Sequence, residues 1–157
     1  MMNLTLDLQQ ASQQPNLPSE AQVTGWLEAA LAGRLDSAEI SVRIVEEAES
    51  QELNGQYRGK DSPTNVLSFP FELPPGVPAE EMNFLLGDLV ICAAVVASEA
   101  AQQNKDLYHH WAHMLIHGAL HLLGFDHIES VEAEQMEQME RDILAGLDIS
   151  DPYKGEF

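Results

Sequence analysis

Leu4, Leu6 and Leu8 alternate with Thr5 and Asp7, a period of two that predicts a half-buried strand over residues 4–8. Pro15 and Pro18 mark a loop. Ser19, with Gln22 three residues later, forms a capping box. Val23, Trp26, Leu27, Ala30 and Leu31 then repeat at helical spacing until a stop at Gly33. Ile40, Val42 and Ile44 alternate as a second strand, and a short helix over about 46–53 follows, which Asn54-Gly55 is expected to close. The segment YRGKDSPTN, Tyr57 to Asn65, is a loop by composition. It leads into a third strand, Val66-Leu67-Ser68-Phe69, ended by Pro70. A surface loop carries Pro74, Pro75, Gly76 and Pro78, and residues 85–92 form a fourth, largely buried strand with Gly87-Asp88 as an early interruption. Helices are expected over about 93–104, 106–123 and 130–147. The order β-α-β-α-β-β-α-α-α predicts one α+β domain over residues 1–157, a small mixed sheet of about four strands covered by helices. Strand order stays open.

Within the second-to-last helix the pattern changes character. All six histidines fall between His109 and His127. The stretch HGALHLLGFDH places His117, His121 and His127 at relative positions 0, 4 and 10, with Gly124 at position 7. On a helix the first two stand about 40° apart around the axis and one turn along it. Their Cβ atoms are then roughly 5–6 Å apart, so both imidazoles can reach one ion. Gly124 can take the left-handed conformation that ends a helix, and the reversal could bring back His127. Three histidines with a fourth position open for water make a catalytic rather than a structural metal site, at the end of a helix and the following turn. A helix with several hydrogen-bonded polar residues is the plainer reading, but it does not account for pair, glycine and third histidine together. His113 and His121 are eight residues apart, about 12 Å along a helix, too far for one small ion with bonds of about 2.0–2.1 Å. The set is therefore His117, His121 and His127; His113 either stands beside the site, behind a ligand or facing substrate, or has an ordinary structural role, and the structural role is preferred. Asp126 either orients a histidine or caps the turn.

The spacing matches the H-E-x-x-H-x-x-G-x-x-H pattern of metzincin peptidases except at the residue after the first histidine. There the peptidase general base is a glutamate, and here it is Gly118. Glycine cannot take a proton, so peptide hydrolysis is disfavoured. Three imidazoles suit zinc, with nickel, copper or iron as other divalent candidates.

Composition sets the context. The 157 residues are 45% hydrophobic, and no apolar run approaches the length of a spanning helix. The first ten residues contain no Lys or Arg and alternate, so no secretory signal is expected. Cys92 is the single cysteine, which excludes a disulfide framework and suits a cytoplasmic setting. Net charge is −19, from 7 Lys plus Arg against 26 Asp plus Glu. That balance opposes binding to nucleic acid or anionic membrane through bulk charge. Acid concentrates at Glu46 to Glu52 and from Glu129 to Asp142, whereas Arg58 and Lys60 form a small basic island. Any contact with nucleic acid must be local or assisted by a partner.

With these motifs in view, the chain resembles the YbeY family of bacterial rRNA maturation endoribonucleases. The resemblance rests on HGALHLLGFDH at 117–127, YRGKDSPTNVLSFPFE from Tyr57 to Glu72, LLGDLVIC from Leu85 to Cys92, and the tail EAEQMEQME. It extends over nearly the whole chain and is least diagnostic at the amino terminus. It implies an α+β fold, one zinc ion on three histidines, and cleavage of single-stranded RNA. It further implies a part in 16S rRNA 3′-end formation and in ribosome quality control. Implied partners are rRNA, the ribosomal small subunit and its proteins, and a ribosome-associated GTPase.

Arg58 gains weight from the same resemblance. Its planar guanidinium suits phosphate oxygens, and the expectation is that it clamps the scissile phosphate while water or a ribose 2′-hydroxyl attacks. A surface arginine paired with a glutamate is the plain alternative. Asn65, Ser68 and Asp88 could line a cleft but are ordinary turn and strand residues, and are left out of the catalytic set. Two other functions stay in view: another metallohydrolase, such as a peptidase recruiting its base from elsewhere, and a ribosome-assembly factor with a mainly structural metal. An acidic surface suits basic ribosomal proteins better than naked RNA, so activity on free RNA is expected to be poor beside activity on a ribosomal particle.

Overall fold

A computed structural model describes residues 3–71, 75–76, 85–125 and 130–149. The alternating leucines form β1 (Asn3–Gln10), with Leu4, Leu6 and Leu8 half-buried and Thr5 and Asp7 exposed. Ser19 caps α1 (Glu20–Leu31) with both halves of the box: Gln22 N–H donates to Ser19 Oγ at 3.1 Å, and Ser19 N–H to Gln22 Oε1 at 2.8 Å. The chain then enters β2 (Ser37–Val45), which lies parallel to β1. After α2 (Glu47–Arg58) and β3 (Val66–Pro70), β4 (Leu85–Cys92) inserts between β2 and β3. The sheet order is β1-β2-β4-β3, with β4 parallel to β2 and antiparallel to β3. Three further helices follow: α3 (Ala93–Gln102), α4 (Leu107–Leu122) and α5 (Ser130–Gly146). The fold is α+β, with a four-stranded mixed sheet and five helices among the described residues.

Alternation along each strand divides the apolar side chains between two faces. Ile40, Ile44, Leu89, Ile91 and Val66 join the main core, with Val23 and Leu27 of α1 and Trp111, Leu115 and Ile116 of α4. Their neighbours Val45, Val90 and Leu67 turn the other way, into a small cluster with Leu53 and Phe69. α4 is the central helix. Asp106 caps it by accepting from the N–H groups of Tyr108 and His109, and most of its residues are buried. A helix buried nearly all round has few positions at which a polar side chain can reach solvent or ligand. His117 and His121, both half-buried, mark two of those positions.

One expected boundary moves. The second helix does not close at Asn54-Gly55 but runs on to Arg58. Asn54 is 2% exposed and spends its side chain on tertiary contact, Nδ2 donating to the Ser62 carbonyl at 2.8 Å. The stop falls at Gly59, φ 69°, where Lys60 N–H returns to the Asn54 carbonyl and Gly59 N–H to the Gly55 carbonyl. Tyr57 and Arg58 therefore belong to the last helical turn rather than to a loop.

Candidate functional site

Four histidines of α4 stand in a ladder, with ring centroids 6.1 Å apart for His110–His113, 6.2 Å for His113–His117 and 4.6 Å for His117–His121. The inner two are buried, at 3% for His110 and 6% for His113, and the outer two are half-buried. Nε2 of His110 meets Glu99 Oε1 of α3 at 2.9 Å, and the same carboxylate accepts from Asn65 Nδ2 at 3.2 Å. Burial alone would raise the Glu99 pKa, but the hydrogen bonds from His110 and Asn65 outweigh it and hold the carboxyl below its ordinary value.

The other carboxylate was not anticipated. Glu140 of α5 is 0% exposed and lies between two imidazoles, with Oε2 3.0 Å from His113 Nε2 and Oε1 2.5 Å from His117 Nδ1. Burial pushes its pKa up, yet the hydrogen bonds from His113 and His117 more than reverse this and keep it ionised. Burial likewise pushes the His113 pKa down, against the pull of Glu140. An ionised carboxylate only accepts. It therefore assigns the proton of His117 to Nδ1 and leaves the Nε2 lone pair facing outward. That lone pair points toward Nε2 of His121, 3.1 Å away.

The chemistry of this donor set suits a metal ion. Among the described residues, His113, His117 and Glu140 each bring a ligand atom within 4.8 Å of the others and could hold an ion. Nitrogens on one tetrahedral zinc, with bonds of about 2.0–2.1 Å, stand roughly 3.3 Å apart. The 3.1 Å between the Nε2 atoms of His117 and His121 fits that spacing. The 2.5 Å between Glu140 and His117 is too short for two ligands of one ion and is a hydrogen bond, of the kind carboxylates make behind metal-binding histidines. Gly124 adopts φ 101°, with Phe125 N–H bonded to the Leu120 carbonyl, and ends the helix there. Asp126 and His127 lie outside the described residues.

His117 and His121 open into a cleft of about 970 Å³, which Arg58, Tyr57, Asn65, Ser68, Phe69 and Phe125 also line. Arg58 comes to it from the carboxyl-terminal turn of α2, where a cation also suits the helix dipole. Asn65 is pinned by Glu99 on its amide and by Val66 N–H on its carbonyl oxygen. Ser68 Oγ donates to the Gly118 carbonyl at 3.3 Å, tying strand to helix. Asp88 falls elsewhere, in the smaller depressions on the opposite face of the sheet. At Gly118 a Cβ would stand 2.8 Å from Leu89 Cδ2 and 3.3 Å from Val66 Cγ2. The position that carries the base in a peptidase faces the sheet here, where even a Cβ would press on Leu89.

Glu140 was missed because it sits in an acidic run, EAEQMEQMERD, where one more glutamate draws no notice. Its register was the available signal. Met136, Glu140 and Leu144 are spaced by four and are all buried. A carboxylate on the apolar stripe of a helix requires a buried partner.

Fold and site together define a small α+β protein with a histidine–carboxylate cluster, able to hold a metal ion, opening into a cleft beside an arginine. The family model described as Endoribonuclease YbeY matches residues 7–148. The chain belongs to that family, whose membership makes it an RNA hydrolase with a role in rRNA processing. The solution structure of TM1509 from Thermotoga maritima is similar at 26% identity, covering 98% of this chain and 99% of that one, with a TM-score of 0.56. No described helix is long and apolar enough to cross a membrane.

Proposed function

We propose that the chain is one domain over residues 1–157, a metal-dependent endoribonuclease specific for single-stranded RNA, with one zinc ion held by His117, His121 and His127. The observation that carries the reading is the 3.1 Å approach of the His117 and His121 Nε2 atoms, with Glu140 behind His117. Bound zinc would supply Lewis-acid polarisation of a phosphoryl oxygen and a lowered pKa for water. The protein supplies the rest. Glu140 fixes the metal-binding tautomer of His117, and Arg58 binds the scissile phosphate through paired N–H donors. Asn65, held by Glu99, keeps the loop after α2 against the cleft.

Family membership supports the finer reading: 16S rRNA 3′-end formation and ribosome quality control in the cytoplasm. Its partners there are the ribosomal small subunit, its proteins and a ribosome-associated GTPase. The peptidase alternative loses ground at Gly118, which is packed against Leu89 and Val66. Elemental analysis of the purified chain, with cleavage of single-stranded RNA before and after chelation, tests the proposal. Zinc near one ion per chain is expected, with activity lost on chelation and restored by zinc. RNA cleavage at full rate by metal-stripped protein, or by His117→Ala, would overturn it. Arg58→Ala should weaken cleavage without changing metal content, and an unchanged rate removes Arg58 from the reaction.

A further inference from the structure

The cleft differs in chemistry from the rest of this acidic surface. The chain carries 26 Asp plus Glu, yet among the described residues that line the cleft there is no carboxylate. What lines it instead is one guanidinium, two imidazoles and three aromatic rings: Arg58, His117, His121, Tyr57, Phe69 and Phe125. Two of these rings are conspicuous for their exposure, Tyr57 at 60% and Phe125 at 38%. Tyr57 and Phe69 meet edge to face, with centroids 5.1 Å apart and planes at 70°. Tyr57 is held on the last turn of a helix, directly before Arg58, so ring and guanidinium are presented by the same rigid turn. The same pair also borders the depressions on the opposite face of the sheet, whose lining includes Glu39, Glu49 and Asp88. The aromatic pair is thus a ridge between a cleft with no carboxylate among its described residues and depressions that hold Glu39, Asp88 and the Arg43–Glu49 ion pair.

We propose that Tyr57, buttressed by Phe69, is a stacking platform for an unpaired nucleobase of the RNA whose phosphate Arg58 binds. This inference rests on the endoribonuclease reading of the same cleft and adds the part of the substrate it recognises. Each base has a π-face that an exposed ring can cover, whereas bases within a duplex have theirs covered already. The platform therefore selects single strands without reading sequence. It also reconciles a charge of −19 with an RNA substrate. Affinity comes largely from stacking, and among the described lining residues the side chains bring a single permanent cation, Arg58, beside whatever charge the bound ion adds. A single phosphate contact on single-stranded RNA gives a slope of log K on log salt of about −0.7, far shallower than a basic groove would show. A basic protein segment, by contrast, finds no carboxylate among the described residues of this lining.

The test uses the zinc-loaded full chain and a short single-stranded 2′-O-methyl RNA carrying 2-aminopurine. Binding is followed by anisotropy and stacking by 2-aminopurine emission, with metal content and melting temperature measured for each variant. Tyr57→Ala should weaken binding roughly 5- to 150-fold and abolish the emission change. Tyr57→Trp should preserve both, and zinc content should not move in either. An oligonucleotide with an abasic site at the stacked position should bind wild type as weakly as Tyr57→Ala binds the intact strand. Equal affinity and emission change in wild type and Tyr57→Ala would overturn the platform, as would a failure of wild type to bind the strand. Tyr57-dependent binding of RNA that the chain never cleaves would keep the platform and remove the nuclease reading. Cleavage of single-stranded RNA with a KM indifferent to Tyr57→Ala would do the reverse.

Discussion

Replacing Glu140 by Gln keeps the shape of the side chain but not its chemistry. The carboxylate accepts from His113 on one oxygen and from His117 on the other. An amide offers one acceptor and one NH2, so one imidazole must face a donor. If that imidazole is His117, its Nδ1 becomes an acceptor and its proton moves to Nε2, the atom needed by a metal. Loss of such a partner commonly weakens metal binding about 10–100-fold. Glu140→Gln should show that loss in competition with a chromophoric zinc chelator, and an unchanged zinc affinity would return Glu140 to a purely structural role. Gly118 allows a sharper contrast between packing and propensity. Alanine gains about 1 kcal/mol over glycine within a helix. Here its Cβ would stand 2.8 Å from a methyl of Leu89, itself 0% exposed, and overpacking of that kind costs about 1–3 kcal/mol. Gly118→Ala should therefore lower the urea midpoint despite its better helix propensity. A raised midpoint would mean that Leu89 moves aside freely.

At the scale of elements, the decisive fact is how α2 ends. Asn54 is buried and bonded to the Ser62 carbonyl, so the helix continues past it and delivers Tyr57 and Arg58 as a structured turn. Asn54→Ala removes that donor and leaves the Ser62 carbonyl short of a partner, which costs about 1–3 kcal/mol. The expected result is a lower melting temperature together with faster amide exchange across the turn that carries Arg58. Destabilisation without that local loosening would detach the two effects. This turn also shows where sequence reasoning reaches its limit. Strand periods, the Ser19 capping box, the start of α4 at Asp106 and the fourfold histidine spacing are local patterns, and they were legible because each is complete within a few residues. Asn54-Gly55 reads as a stop by the same local rules. A contact eight residues away overrides it. Strand order lies further out of reach, because nothing in β4 itself records that it inserts between β2 and β3. Glu140 had a readable register, but its partners sit on another helix.

For the molecule as a whole, two electrostatic effects oppose each other as pH falls. A charge of −19 repels itself, and protonating surface carboxylates relieves the repulsion. Against this stand carboxylates committed to partners inside the fold, of which Glu99 is the clearest away from His117 and His121. Its folded pKa lies below the usual 4.5 because His110 and Asn65 overcome the cost of burial. A group whose pKa drops on folding adds stability that is complete above its unfolded value and vanishes as pH falls through its folded value. The contribution of Glu99 is thus present at pH 7 and fades below about pH 4.5. At about 0.15 M salt the Debye length is near 8 Å, which screens exposed charges far more than a pair within hydrogen-bond reach. The internal pair should win. Urea midpoints of the chelated protein at that ionic strength are expected to fall between pH 5 and pH 3.5, and Glu99→Gln should flatten that limb while losing stability at pH 7. Because Asn65 hangs on the same carboxylate, the variant should also loosen the cleft wall, seen as faster amide exchange at Val66. An acid limb as steep in Glu99→Gln as in wild type would assign the acid sensitivity to other groups.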